Sequence, residues 1–373
     1  MDKGVETVTT GGVITGSRAW LCDLPVETVR TDAMQSFTKQ ETIFVELVTS
    51  DGTIGIGYSY TIGTGGAAVL SMVRETLLPQ LQGLDVQNFE QIWSSCLAAT
   101  RATMAGPITA LAIAAIDIAV WDARTKRSGT PLHAAAGGAS SSVPLYDTEG
   151  GWLHLTTDEL VGHAIASRDR GFSGVKIKVG KLRAHDDFER LKAVREAVGV
   201  DVDIMIDANQ CFTVAEAVRR AALFEPVGIF WFEEPLPAED VSGHATLARS
   251  TSIPIAVGES IYSLGHFREY LQLGAASILQ VDAARIGGIT PWLKVAHLAE
   301  AFNVAVAPHF LMELHVSLAC AIPNSLYVEF IPQLRAITTS DFQVSLGRAI
   351  APMSPGVGID WDMIAIDLLT RDS

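Results

Sequence analysis

The sequence predicts an α/β protein: a modified (β/α) barrel with an N-terminal α+β capping domain that the C-terminal tail completes. In the second half of the chain, short apolar runs each close on one charged or imidazole residue, at intervals from 29 (Lys178 to Asp207) down to 20 residues (His309 to Glu329). Such an interval accommodates one strand, one helix and two loops, and repeated units of this kind form parallel strands. Residues 1–130 lack this period and contain alternating runs followed by helical patterns.

We assign residues 1–130 to the capping domain. Two alternating stretches, GGVITGSRAWLCDLPV and ETIFVELVTSDGTIGIGYSY, predict strands, with a hairpin turn at Thr49-Ser50-Asp51-Gly52. Helical spacing follows in AAVLSMVRETLLPQLQG, VQNFEQIWSSCLAA and ITALAIAAIDIAVWDARTKR. The polar link RTDAMQSFTKQ is long for a hairpin, which favours a lid at about residues 30–40. The alternative is a disordered surface loop.

Residues 131–345 form the predicted barrel. The small, flexible stretch PLHAAAGGASSS marks the domain boundary, and VPLYD (Val143–Asp147) predicts the first strand. The next seven strands are VKIKV, DIMID, IFWFE, PIAVGE, SILQVD, VAVAPH and SLYVE. Residues at the carboxyl ends of barrel strands face the active-site mouth, so their polar groups are expected to converge. The period then stops, and residues 346–373 are expected to return to the cap.

Composition narrows the classes of partner. The formal net charge of −15 argues against nucleic acid and anionic membranes, and no apolar run reaches the length of a membrane span. The first twelve residues lack an apolar signal region, so no signal peptide is expected. Four widely spaced cysteines without a C-x-x-C motif indicate free thiols and a cytoplasmic location. A small anionic substrate remains compatible, because a bound cation inverts the local field.

Three carboxylates predict a metal site. Asp207, Glu233 and Glu259 close adjacent strands. At about 4 Å and an effective dielectric of about 20, each ionised pair repels by about 4 kcal/mol. A hard divalent cation relieves this repulsion, and all-carboxylate ligation selects Mg²⁺, with Mn²⁺ as a substitute. The alternative is that these carboxylates pair with lysine or arginine inside the barrel.

Lys176 and Lys178 lie two apart on one strand and therefore face the same side. Two ammonium groups in one half-buried site are expected to depress each other's pKa, which would make Lys178 a general base and leave Lys176 to hold a substrate oxygen. The alternative is an exposed edge strand.

His309 and Asp282 end neighbouring strands. A carboxylate on one imidazole nitrogen fixes the tautomer, so His309 is expected to be an acid or base opposite Lys178. Glu329 ends the eighth strand. Next to a bound anionic substrate it is expected to remain protonated and to donate a hydrogen bond to a developing oxyanion. The alternative is a structural carboxylate.

These residues carry a family resemblance. The motifs K-x-K, D-A-N, E-E-P, G-E, D-A-x-x-I-G-G and P-H-F resemble the enolase superfamily, mandelate racemase subgroup, over almost the whole chain. YDTEGGWL, KIKVG and APHFLMELHVSL resemble acid-sugar dehydratases of the talarate/galactarate type within that subgroup. The resemblance implies metal ligands at Asp207, Glu233 and Glu259. It implies catalytic roles for five more residues, which are Lys176, Lys178, Asp282, His309 and Glu329. It also implies a homo-oligomer, from dimer to octamer.

The expected reaction is Mg²⁺-dependent removal of the proton next to a carboxylate, with loss of water from an aldarate or aldonate to give a 2-keto-3-deoxy acid. The alternatives are a racemase or epimerase of a 2-hydroxy acid, and a catalytically idle barrel that only binds metal and ligand. The candidate substrate-binding residues are Lys176, Asn209, Tyr60, Thr148, Arg30 and Lys39. For Tyr60, Arg30 and Lys39 the alternative is ordinary surface.

Overall fold

The computed structural model describes residues 11–26, 28–104 and 106–371. Residues 1–10, 27, 105, 372 and 373 lie outside the described residues. They include the start of the predicted cap, most of the stretch read for a signal peptide and the last two residues of the predicted tail.

The cap begins with five antiparallel strands. They are β1 (Ile14–Leu24), β2 (Arg30–Thr31), β3 (Ser36–Phe37), β4 (Gln40–Thr49) and β5 (Ile54–Thr61). Three of them form a sheet in the order β1-β4-β5, and β2 pairs with β3 as a short separate hairpin. The predicted turn joins β4 to β5, with Gly52 at φ +83°, a left-handed conformation that glycine adopts without strain.

The cap helices follow in three groups. Helix α1 (Gly66–Ser71) continues through a π-helical turn (Met72–Leu77) and a 3-10 turn (Leu78–Gln80). A 3-10 turn (Val86–Asn88) precedes α2 (Phe89–Ala99), and α3 spans Pro107–Arg127. Helix α3 lies so close to β5 that a Cβ at Gly55 or Gly57 would be 2.2 or 2.1 Å from a helix carbonyl oxygen. Glycine at these two positions therefore allows the helix to pack on the sheet.

The barrel alternates strands and helices after α4 (Leu132–Ala135). Its strands are β6 (Ser142–Asp147), β7 (Gly174–Lys178), β8 (Asp203–Asp207), β9 (Ile229–Glu233), β10 (Ile255–Val257), β11 (Ile278–Leu279), β12 (Ala305–Val306) and β13 (Val328–Phe330). Its helices are α5 (Thr157–Asp169), α6 (Ala184–Val198), α7 (Val214–Phe224), α8 (Val241–Ala248), α9 (Leu264–Gln272), α10 (Ala283–Ile286), α11 (Ile289–Ala301) and α12 (Met312–Ala321).

Parallel pairing runs from β6 through β12, and β13 pairs in parallel with β6. A parallel bridge between Val306 and Ser325 joins β12 to the segment before β13 and closes the ring. The predicted fold class is confirmed. The predicted strand ends are wrong in four places, because Glu259, Asp282 and His309 lie on the loops after their strands and Glu329 lies inside β13. Although three of these four side chains lie on loops, all four still lie at the carboxyl-end mouth of the barrel.

The tail returns to the cap. After a 3-10 turn (Arg335–Ile337), strands β14 (Val344–Ser345) and β15 (Arg348–Ile350) add antiparallel to the start of β6, and α13 spans Met363–Leu369. The N–H of Val357 donates to buried Asp122 of α3 at 2.9 Å, and the N–H of Arg371 donates to the Leu21 carbonyl oxygen at 2.9 Å. These two hydrogen bonds thus attach residues 357–371 of the tail to the cap.

Two composition-based expectations can be compared with the structure. None of the described helices combines the length and apolar character that crossing a bilayer requires. All four cysteines are free thiols; Cys22, Cys96 and Cys320 are buried and Cys211 is partly exposed.

Candidate active site

A cavity of about 170 Å³ lies between the carboxyl edge of the barrel and the β2–β3 hairpin of the cap. The barrel contributes mainly charged and polar groups, which include Lys176, Lys178, Asn209, Gln210, Glu234, Glu259, Ser260, Arg285, His309 and Glu329. The cap contributes Arg30, Asp32, Met34, Gln35, Phe37 and Ile62. The link predicted as a lid is thus a β-hairpin that forms one wall of this cavity.

Three carboxylates converge at the base of the cavity. One oxygen each from Asp207, Glu233 and Glu259 lies within 4.8 Å of the others; the side chains of Asp207 and Glu233 are fully buried and that of Glu259 is 11% exposed. Burial and the charge of Asp207 raise the pKa of Glu233 well above its usual range. Burial alone would also raise the pKa of Asp207, but the neighbouring charges of Lys178 and Lys176 lower it. Oxygen donors at this spacing fit a hard divalent cation.

Lys176 is fully buried among carboxylates. Its Nζ lies 2.8 Å from Glu233 Oε1, 2.8 Å from Glu329 Oε1 and 3.6 Å from Asp207 Oδ2. Burial alone would lower the pKa of Lys176, yet the charges of Glu233 and Glu329 raise it well above its usual range. The structure therefore contains both arrangements expected from the sequence. The three carboxylates form a cluster, and members of that cluster also pair with a buried lysine.

Lys178 Nζ donates to Asp207 Oδ2 at 2.5 Å and to Asn209 Oδ1 at 3.0 Å. Burial alone would lower the pKa of Lys178, and the charge of Lys176 lowers it too, but the charges of Asp207, Glu259 and Glu233 together raise it. The predicted net depression of the two lysine pKa values is therefore wrong for this arrangement, because neighbouring carboxylates outweigh the repulsion between the ammonium groups. The sequence placed the two ammonium groups together, but it did not show how close the carboxylates would come.

His309 and Asp282 form the predicted pair. His309 Nδ1 lies 3.0 Å from Asp282 Oδ2, and His309 Nε2 lies 3.3 Å from Glu259 Oε2. Burial alone would raise the pKa of Asp282, but the hydrogen bond and charge of His309 lower it to about 2. The ionised Asp282 also accepts a hydrogen bond from Tyr60 Oη at 2.7 Å. The imidazole is thereby oriented with Nε2 toward the carboxylate cluster.

Lys178 and His309 flank the carboxylates on opposite ends. Lys178 contacts Asp207, on β8, whereas His309 contacts Glu259, on the loop after β10. A small acid held at the carboxylate cluster would therefore have one nitrogen base on each side. This is the geometry that chemistry at one carbon from two faces requires.

Glu329 is held as a carboxylate. It accepts hydrogen bonds from Thr148 Oγ1 at 2.7 Å and from the N–H of Phe310 at 2.9 Å, besides its contact with Lys176. Burial alone would raise the pKa of Glu329, but the charges of Lys176 and His309 lower it well below its usual range. Without a bound substrate Glu329 is thus ionised, since Lys176 supplies a positive charge at 2.8 Å. Its protonation next to a bound anionic substrate stays a prediction.

The loops after β8 and β9 carry backbone strain. Asn209, Gln210 and Glu234 have φ of 42°, 66° and 37°, in a region that non-glycine residues seldom occupy. Gln210 joins the loop after β8 to the next two loops. Its amide Nε2 donates to Ser260 Oγ, on the loop after β10, at 2.8 Å, and its Oε1 accepts from the N–H of Ala238, on the loop after β9, at 2.8 Å. Sequence reasoning missed this residue, although it directly follows the D-A-N motif.

Arg285, Glu234 and Ser260 are further cavity residues that sequence reasoning missed. Arg285 NH1 donates to the backbone oxygen of Glu259 at 3.0 Å. Glu234 and Ser260 each directly follow a predicted metal ligand in the sequence. The sequence signal that could have identified Glu234 and Ser260 is their position directly after a predicted metal ligand.

Three of the predicted substrate-binding residues do not line the cavity. Thr148 is buried behind Glu329, and Tyr60 is buried behind Asp282. Lys39 pairs with Asp23 and Glu41 within the cap, at 3.7 and 3.4 Å. For these residues the expectation of direct substrate contact is wrong, because their side chains point to other partners.

Lys176, Asn209 and Arg30 do line the cavity. Arg30 is 7% exposed, so the alternative of ordinary surface does not hold for it.

A barrel under an α+β cap, with clustered carboxylates between a lysine and a histidine, has the architecture of the enolase superfamily. The chain belongs to the mandelate racemase/muconate lactonizing enzyme family. The family's N-terminal domain matches residues 13–137, and an enolase C-terminal domain-like region matches residues 159–365.

Similar proteins cover nearly the whole chain. L-talarate/galactarate dehydratase of Salmonella typhimurium is 36% identical over 94% of this chain and 89% of that protein. A 3,6-anhydro-alpha-L-galactonate cycloisomerase of Streptomyces coelicolor is 35% identical over 92% of this chain and 96% of that protein. The crystal structure of an L-talarate dehydratase from Polaromonas sp. JS666, complexed with Mg and L-glucarate, matches with a TM-score of 0.92. It is 38% identical and covers 96% of this chain and 98% of that chain.

Proposed function

We propose that this chain is a Mg²⁺-dependent acid-sugar dehydratase, which removes the proton next to a carboxylate and expels the hydroxyl at C3 as water. The observation that carries the proposal is the position of Lys178 and His309 at opposite ends of the three-carboxylate cluster. The relatives named above include dehydratases of acid sugars, which supports the same class of reaction.

The cofactor is Mg²⁺, for which Asp207, Glu233 and Glu259 are the proposed ligands. When bound, it supplies positive charge that stabilises the enediolate formed when the proton leaves. The buried ammonium of Lys176 adds a hydrogen-bond donor on the same side. Lys176 thus holds the carboxylate oxygen on which negative charge develops.

Either Lys178 or His309 removes the proton at C2, according to the configuration of that carbon. Lys178 can act as a base only after Asp207 is drawn away from it, because that carboxylate keeps the ammonium protonated. Burial then favours the neutral amine. His309 needs no such change, since Asp282 already orients its ring and stabilises the imidazolium that forms.

Loss of water needs an acid next to the C3 hydroxyl. His309 as imidazolium donates its proton to the C3 hydroxyl, the C3–O bond breaks with its electron pair, and water leaves. The C2–C3 double bond forms from the electrons of the former C2–H bond. The enol that results takes up a proton at C3 and becomes a 2-keto-3-deoxy acid.

A racemase or epimerase of a 2-hydroxy acid is the second candidate, since the same two bases can deliver a proton to either face of C2. A cycloisomerase is present among the similar proteins, which shows that members of this family also rearrange their substrates. A substrate without a leaving group at C3 would have the proton returned by the opposite base.

The test is a panel of aldonic and aldaric acids incubated with the protein and Mg²⁺, read out as 2-keto acid formed. We expect a 2-keto acid from at least one of them. Inversion at C2 without any keto acid would favour the racemase. If no acid that binds exchanges its C2 proton for deuterium in D₂O, the barrel only binds its ligand.

A further inference from the structure

The cap-side wall of the cavity is poor in available positive charge. Among the described residues that line the cavity, the barrel lysines already contact carboxylates, and Arg285 NH1 lies 3.8 Å from Glu259 Oε1. On the cap side the lining cation is Arg30. A substrate whose first carboxylate lies at the barrel carboxylates would direct its far end toward this wall.

Arg30 is neutralised by Glu149. Its Nε and one terminal nitrogen both donate to the Glu149 carboxylate, the former at 3.3 Å, and NH1 donates to Gln333 Oε1 at 3.1 Å. Glu149 and Gln333 line a second cavity of about 160 Å³ on the other side of Arg30. The guanidinium therefore directs its hydrogen bonds away from the substrate cavity.

The same wall carries a carboxylate. Asp32 lines the cavity, and its Oδ1 accepts hydrogen bonds from the N–H groups of Met34 and Gln35, at 2.7 Å each. No ion pair to Asp32 occurs within the described ranges, 11–26, 28–104 and 106–371. Lys39 is held by Asp23 and Glu41. With Arg30 paired, the cap-side wall has a net negative charge.

We infer that the cap selects an acid sugar with a single carboxylate, an aldonate, over a diacid. This rests on the proposed function and names its substrate class. A second carboxylate placed at this wall would lie next to the like charge of Asp32 without a free cation, which is unfavourable. A hydroxyl at the far end can instead donate to Asp32 and accept from the side-chain amide of Gln35. Glu149 acts here as a specificity-determining residue, because it decides whether the charge of Arg30 is available.

The experiment compares acids that share their configuration and differ only at the far end, D-galactonate with galactarate and D-gluconate with D-glucarate. Dissociation constants are measured by calorimetry with Mg²⁺, so the test does not depend on turnover. For at least one pair we expect the aldonate to bind about tenfold tighter or more. Glu149→Gln frees the charge of Arg30 while keeping the size of the side chain, and should shift the ratio about 10- to 100-fold toward the diacid.

Asp32→Asn provides an independent variant, since the asparagine oxygen can still accept from the hairpin N–H groups and the Arg30 pair stays intact. It should shift the ratio in the same direction. Glu46→Gln is the matched control: Glu46 accepts two hydrogen bonds of 2.8 Å from Arg18 on the cap sheet, away from the cavity lining. It should leave the ratio unchanged.

Tighter binding of the diacid by the unmodified protein would overturn the inference, and so would an unchanged ratio in both Glu149→Gln and Asp32→Asn. An aldonate that binds more tightly and yields no 2-keto acid would support this inference and contradict the proposed function. The two proposals can therefore fail separately.

Discussion

Lys176→Met removes the buried cation that the carboxylates share. At 2.8 Å and an effective dielectric of about 20, the contact of Lys176 with the ionised Glu329 has a gross attraction of about 6 kcal/mol. Desolvation of the ammonium offsets much of this attraction. Removing one partner of a buried ion pair typically costs about 3–5 kcal/mol, and we expect a loss of unfolding free energy in this range. Asp207, 3.6 Å from the ammonium, loses a counter-charge too.

The assay is urea denaturation followed by circular dichroism, with EDTA or with saturating Mg²⁺. Because Lys176 competes with a cation for oxygens of Asp207 and Glu233, Mg²⁺ should stabilise the variant more than the unmodified protein. Lys192→Met is the control, since Lys192 is exposed and 3.9 Å from Glu196, and should change the unfolding free energy by about 0.5 kcal/mol or less. An unchanged urea midpoint for Lys176→Met in EDTA would refute the reasoning, as would equal stabilisation of both proteins by Mg²⁺.

Three further predictions concern the bases, their support and the cap. Lys178→Ala and His309→Asn should each lower the rate of deuterium exchange at C2 by about 10²- to 10⁴-fold, but for substrates of opposite C2 configuration. Equal losses for every isomer would contradict the proposal that the two bases act on opposite faces. Tyr60→Phe removes the 2.7 Å hydrogen bond to Asp282. It should lower kcat about tenfold for substrate isomers whose proton is removed by His309 and leave kcat unchanged for isomers whose proton is removed by Lys178. A uniform decrease of kcat would indicate a structural role only. Burial raises the pKa of Asp117 to about 7, so its contribution to stability is complete below about pH 4 and is lost as the pH rises through 7. Asp117→Asn should therefore flatten the decline of unfolding free energy between pH 5 and 8 in urea titrations, and an unchanged slope would count against this assignment.

The barrel and the convergence of its charged groups could be predicted because both follow from periodicity. A residue at or just after the end of a parallel strand faces the mouth of the barrel, so the approach of Asp207, Glu233 and Glu259 to one another required little beyond the correct period. The magnesium prediction follows from the same convergence, and structures of similar proteins contain the metal.

The protonation states could not be predicted, since a pKa depends on distances between side chains from different strands. Lys178 and Glu329 illustrate this. For each, burial is opposed by nearby opposite charges, one of them at 2.8 Å or less, and the spacing of the sequence does not encode that distance. Two substrate-binding predictions, Tyr60 of the cap and Thr148 of the barrel, failed for a related reason. Each side chain lies behind a charged cavity-side group, Asp282 for Tyr60 and Glu329 for Thr148, and that depends on packing between elements that are far apart in sequence.

The division of the cavity between two parts of the chain has a practical consequence for protein engineering. In the proposed reaction, proton transfer depends on groups of the barrel, whereas the opposite wall includes a hairpin of two two-residue strands. Transplanting this hairpin among homologues, together with the residue at position 149, is thus a route to new substrates that keeps the reactive groups in register.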